Sequence, residues 1–103
     1  MATKESKQTP REDALHTAAE LIAGNRDKQY GGPEENFGRI AKIWTVLFER
    51  PFSESDVAAA MIAVKMARLV NGGFQADTWI DIAGYAGCGY EVGQITANRN
   101  ASA

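Results

Sequence analysis

The sequence predicts an all-α domain, and three observations carry that reading. Apolar residues recur at spacings of three and four along four separate stretches. No segment shows the strict apolar–polar alternation of a half-buried strand. Gly, Pro or a short polar capping cluster punctuates the junctions between the stretches. Helices joined by short connections make a four-helix bundle, here preceded by a tail over 1–12 and followed by another over 97–103, with a single domain over 13–96.

The first helix is expected from Asp13 to Ala23, where Ala14, Leu15, Ala18, Leu21 and Ile22 share one side and Gly24-Asn25 forms a stop. A structured loop follows, ending in Tyr30-Gly31-Gly32-Pro33, whose proline suits the first turn of the next helix. That second helix runs from Pro33 to about Glu49, with Phe37, Ile40, Ala41, Trp44, Leu47 and Phe48 on one face. Glu34 and Glu35 lie in its first turn, where the helix dipole favours them.

Arg50-Pro51-Phe52 breaks the pattern, and Ser53-Glu54-Ser55-Asp56 offers a capping hydroxyl with an acid three residues on. The third helix begins there. Its segment Val57-Ala58-Ala59-Ala60-Met61-Ile62-Ala63-Val64 is apolar all round, which predicts burial on most sides and a central place in the bundle. Lys65 and Arg68 bring charge to one face before Asn71-Gly72-Gly73 ends the helix. The fourth helix is expected from Ala76 to about Thr96. Its glycines Gly84, Gly87, Gly89 and Gly93 each cost about 1 kcal/mol relative to Ala, so they mark either close helix packing or a bend.

Charge and length exclude several functions. The 103 residues carry 11 Lys and Arg against 13 Asp and Glu, a net charge of −2, which is the wrong balance for neutralising the phosphates of duplex DNA or RNA. No 18-residue apolar span and no N-terminal apolar segment are present, so neither a membrane helix nor a signal peptide is expected. Cys88 is the single cysteine, which rules out an internal disulfide and a cysteine-rich zinc site. The cytoplasm is the expected compartment.

Three features are able to carry chemistry. Asp77 and Asp81, four apart, place two carboxylates on one helix face that Tyr85 continues, a spacing at which two acids can share Mg²⁺ with substrate phosphates. The same aspartates are equally at home at a helix N-terminus and in ion pairs with Lys65 or Arg68. Lys65 and Arg68 themselves are isolated cations on an apolar helix, suited to phosphate contact, to structural pairing or to reaching solvent along their stems. The loop from Arg26 to Tyr30, leading into Glu35 and Asn36, is able to receive an anion at a helix start, or is a plain turn whose Tyr30 packs on the bundle. His16 reads as a surface residue and Cys88 as a small core residue. Phe37, Trp44, Phe48, Trp79, Tyr85 and Tyr90 read as core.

Taken together, Arg26-x-x-x-Tyr30-Gly31-x-Pro33-x-x-Asn36-Phe37, Ile40-Ala41-x-x-Trp44, Asp56-Val57-Ala58, Met61, Lys65-x-x-Arg68 and Asp77-x-x-x-Asp81-Ile82-Ala83-Gly84-Tyr85-Ala86 resemble small phage and prophage domains of the "nucleotide modification associated" kind. Those domains are similar to the MazG-like all-α nucleoside triphosphate pyrophosphohydrolases. The resemblance covers roughly Leu21 to Glu91. It implies a MazG-like helical bundle that assembles as a homo-oligomer in the cytoplasm of a bacterial host, with a nucleotide and Mg²⁺ site between helices. Carried onto this chain, it makes Asp77 and Asp81 the catalytic pair, adds Glu35 to them as a metal ligand, and gives Arg26, Tyr30, Asn36, Lys65, Arg68 and Tyr85 to the nucleotide. The chain departs from the enzymes by placing Lys65 and Arg68 where they carry acids.

Three functions follow as expectations: hydrolysis of a nucleoside triphosphate to monophosphate and pyrophosphate, nucleotide binding without turnover, or a structural helical oligomer whose charged residues pair with one another.

Overall fold

Four helices, α1 (Pro10–Ala23), α2 (Pro33–Phe48), α3 (Glu54–Gly72) and α4 (Ala76–Ser102), follow one another in a computed structural model that describes residues 8–24 and 31–102. The described residues contain no strand.

Helix α1 starts earlier than the periodicity predicts, because Thr9 and Glu12 form a capping box ahead of Asp13. The Glu12 backbone N–H donates to Thr9 Oγ1 at 3.2 Å, and the Thr9 N–H donates to Glu12 Oε1 at 2.7 Å. Pro10 then occupies the first turn, where its missing N–H costs nothing. The expected box at α3 is present: Ser53 N–H donates to Asp56 Oδ2 at 2.9 Å, and Asp56 N–H to Ser53 Oγ at 3.1 Å. Between α2 and α3, the Thr45 hydroxyl donates to the Ala41 carbonyl at 2.7 Å and accepts the Phe52 N–H at 3.1 Å. Phe52 is thereby seated against Trp44, at 5.7 Å between ring centroids, and against Phe48, at 5.9 Å.

The central helix is α4, not α3. Each of the other three helices packs on α4, and α1 packs on nothing else among the described elements. Helix α3 lies along α4, and α2 packs on both. The core holds Phe37, Ala41, Val57, Ala58 and Val92, with Ile40, Trp44, Phe52, Met61, Tyr85 and Cys88 packed around it. Of α3 only Val57 and Ala58 are buried, while Ala59, Ala63, Met66, Ala67 and Val70 face out. An all-round apolar sequence therefore meets protein on one side only. Three of the aromatics expected in the core, Phe48, Trp79 and Tyr90, are exposed.

The glycines of α4 answer to packing. A Cβ at Gly84 or Gly87 would lie 3.2 Å from Ile22 of α1, and one at Gly89 would lie 3.2 Å from the Ala58 Cβ of α3. The helix passes through these positions without interruption and continues beyond Thr96 to Ser102, so residues 97–102 are helical where a tail was expected. Arg99, in that extension, pairs with Glu34 at the start of α2.

Candidate functional site

Helices α3 and α4 run antiparallel from a tight connection, and this brings Lys65 opposite Asp81. Lys65 Nζ lies 3.0 Å from Asp81 Oδ2; the lysine side chain is 13% exposed and the aspartate side chain 38%. A charged head so nearly enclosed needs a partner, and the carboxylate at the seam's edge supplies it. Of the readings weighed for these residues, pairing across the helices is the one realised for Lys65 and Asp81.

Arg68 and Asp77 sit further toward the connection, and both are exposed. Neither makes an ion pair among the described residues. Asp77 occupies the first turn of α4, as expected for an acid at a helix start. Beside it, the buried Thr78 donates its hydroxyl to Gln75 Oε1 at 3.1 Å, and the Thr78 and Trp79 N–H groups donate to the Gln75 carbonyl. Toward the connection, therefore, Lys65 and Asp81 are joined across the seam, while Arg68 and Asp77 are open to solvent.

The expected grouping of Glu35 with Asp77 and Asp81 is not assembled. No three His, Cys, Asp or Glu side chains among the described residues come together as a metal cluster. Glu35 instead folds its carboxylate over Gly31 at the start of α2. Its neighbour Glu34 is tied to Arg99, which at 1.5 Å per residue lies about 27 Å along α4 from Asp81. Asn36 is half-buried in the same first turn, with its N–H donating to the Gly32 carbonyl at 3.0 Å. Tyr85 stacks on Phe37 with centroids 6.4 Å apart and serves the core. Arg26 and Tyr30 lie outside the described residues. His16 is exposed and its Nε2 lies 3.2 Å from Gln8 Nε2.

Sequence reasoning passed over a second polar surface. An open groove of about 600 Å³ is lined by Glu34, Arg39, Lys42, Glu54, Phe52 and Arg99, among others. It belongs to the end of α4 remote from Asp77. Its residues come from three helices and are far apart in sequence, so no local motif announces it.

Residues 13–93 match the family described as "Domain of unknown function (DUF6378)". The Gene 55 protein of Mycobacterium phage D29 is 46% identical over 77 residues, which cover 75% of this chain and 51% of that protein. The Gene 55 protein of Mycobacterium phage L5 is 47% identical over 75 residues, covering 71% of this chain and 47% of the phage protein. The chain thus spans about half the length of these relatives. No solved structure matches it, and no helix among the described residues is long and apolar enough to cross a membrane. With a family match that reaches from α1 well into α4 and includes both members of the Lys65–Asp81 pair, the chain belongs to the DUF6378 family.

Proposed function

We propose that this chain binds a nucleotide at the open end of the α3–α4 seam, with Lys65 and Arg68 directed to its phosphates and Asp77 and Asp81 on the opposite helix. The observation that carries the reading is the enclosed Lys65 head at 3.0 Å from Asp81, flanked by the exposed Arg68 and Asp77. Arg68 offers a planar fork and Lys65 a point charge, the two forms in which proteins hold phosphate. The resemblance to MazG-like proteins supports the choice of a nucleotide as ligand.

Two carboxylates one turn apart fit a Mg²⁺ ion whose remaining positions come from substrate phosphates and water. They do not fit a cage built by protein alone, since Glu35 stands elsewhere and Asp81 is already engaged by Lys65. When bound there, Mg²⁺ supplies neutralisation of phosphate charge. This donor set favours binding over hydrolysis to monophosphate and pyrophosphate, which remains the activity that the resemblance implies. The 3.0 Å Lys65–Asp81 contact favours one competing reading, in which the pair only clasps α3 to α4.

A panel of canonical and modified nucleoside triphosphates with Mg²⁺, followed by thermal shift and pyrophosphate release in the same wells, separates these outcomes. Stabilisation that Arg68→Ala abolishes, without release, is the expected result. Release that Asp77→Asn eliminates establishes hydrolysis. No stabilisation by any nucleotide overturns the proposal in favour of the clasp.

A further inference from the structure

We infer that the groove where the first half of α2, the start of α3 and the end of α4 meet is a second ligand site, one that takes a small phosphorylated sugar, with the phosphate on Arg39 and Lys42 and the hydroxyls on Glu54. It lies at the opposite end of α4 from the Lys65–Asp81 seam and is independent of the nucleotide proposal.

The groove is open and holds about 600 Å³, a size typical of sites for small organic molecules. Its unpaired cations come from one helix. Arg39 and Lys42, three apart on α2, are neighbours on the helix surface; both are exposed, and neither makes an ion pair among the described residues. The acid one turn before Arg39 that would ordinarily neutralise it is Glu35, and its carboxylate is folded over Gly31 instead. Two adjacent cations left without an acid repel each other mildly, and a bound phosphate turns that repulsion into attraction. Arg39 supplies a planar fork and Lys42 a point charge.

An acceptor faces these cations from another helix. Glu54, the first residue of α3, is half-buried, and its Oε2 is turned toward Gly38 of α2. It makes no hydrogen bond or ion pair among the described residues. An ionised carboxylate only accepts, so Glu54 selects hydroxyl donors and disfavours a bare anion. A molecule anionic at one end and hydroxylated at the other satisfies both sides. Arg99, which also lines the groove, is already tied to Glu34.

Gly38 lies between the two sides. A glycine weakens a helix interior, and packing does not demand one here, since a Cβ would lie 3.5 Å from Glu54 Oε2, an ordinary contact. What the glycine provides is bare backbone in the groove, where a ligand can approach closely. Phe52 adds an apolar surface for the carbon faces of a sugar.

Amide NMR spectra of the full chain, titrated separately with ribose 5-phosphate, inorganic phosphate, ribose and aspartate, test the assignment. Saturable shifts at Gly38, Arg39, Lys42 and Glu54 with ribose 5-phosphate, and weaker binding of the other three, are the expected result. Arg39→Ala and Lys42→Ala each raise the dissociation constant at least about tenfold, with helix content retained because both residues are exposed. Glu54→Gln weakens ribose 5-phosphate but not inorganic phosphate. Arg68→Ala, at the seam, leaves this binding unchanged. The absence of a saturable response to ribose 5-phosphate, equal or tighter binding of inorganic phosphate or aspartate, indifference to both Arg39→Ala and Lys42→Ala, or loss of binding in Arg68→Ala overturns the inference.

Discussion

Lys65 Nζ meets Asp81 Oδ2 at 3.0 Å, and the two ends of this contact stand in different surroundings, the cation enclosed and the carboxylate at the rim. Removing the two partners therefore has unequal effects. Asp81→Ala strands Lys65 and lowers stability by about 1–3 kcal/mol, whereas Lys65→Met, which keeps the stem's packing, costs less. Chemical denaturation of the two single variants and the double variant measures the difference, and the double variant is expected to resemble Lys65→Met.

Asp77 stands apart from that pair and provides a cleaner probe of ligand binding. Asp77→Asn is expected to change stability by no more than about 0.5 kcal/mol, since the residue is exposed and away from the core. The same variant is expected to weaken the Mg²⁺-dependent part of nucleotide binding, read as the difference between titrations with and without Mg²⁺.

Two glycines of α4 respond to alanine with opposite sign. At Gly93 the nearest atom to a new Cβ is Ser55 Oγ, 4.0 Å away, so Gly93→Ala gains helix propensity unopposed and stabilises by about 1 kcal/mol. At Gly89 the new Cβ meets the Ala58 Cβ at 3.2 Å, an atom that moves only if α3 moves. Gly89→Ala is expected to lower the melting temperature, with a strain cost of about 1–3 kcal/mol outweighing the propensity gain. Thermal unfolding of the two variants side by side checks the sign.

The first turn of α1 depends on pH. The Thr9 backbone N–H, and then its hydroxyl, hold the Glu12 carboxyl below its ordinary value of 4.5. A carboxyl depressed in the folded state contributes stability above its unfolded pKa and loses it as pH falls through the folded one. The turn is thus expected to fray on acidification below about pH 4.5, visible as lower amide protection factors (exchange relative to the intrinsic rate at the same pH) at Asp13 and Ala14, and Glu12→Gln is expected to flatten that dependence.

What the sequence discloses and what it withholds divide along range. The Ser53–Asp56 box is legible because cap and acid are three residues apart and followed by an apolar run. The Thr9–Glu12 box has the same spacing but sits among charged residues that read as a tail. Lys65 with Asp81 is legible as one of a few pairings, since cations on an apolar helix have few acids to reach. The link from Glu34 to Arg99 joins residues 65 apart in sequence, and no pattern foretells it. The place of α3 is misread for a different reason: an all-round apolar sequence built largely of alanines is read as buried, yet small residues such as Ala59, Ala63 and Ala67 stand in solvent at little cost.

Among the described elements helix α1 has one neighbour, α4, and rests on it through Ala18 and through Ile22 set against Gly84 and Gly87. The other three helices contact one another in every combination. Stability is accordingly tiered: α1 can lift away and re-dock while α2, α3 and α4 stay assembled, and its amides exchange through that partial opening rather than through global unfolding. A protease or a competing helix meets the seam of Gly84 and Gly87 first in this opened form, before the rest of the chain gives way.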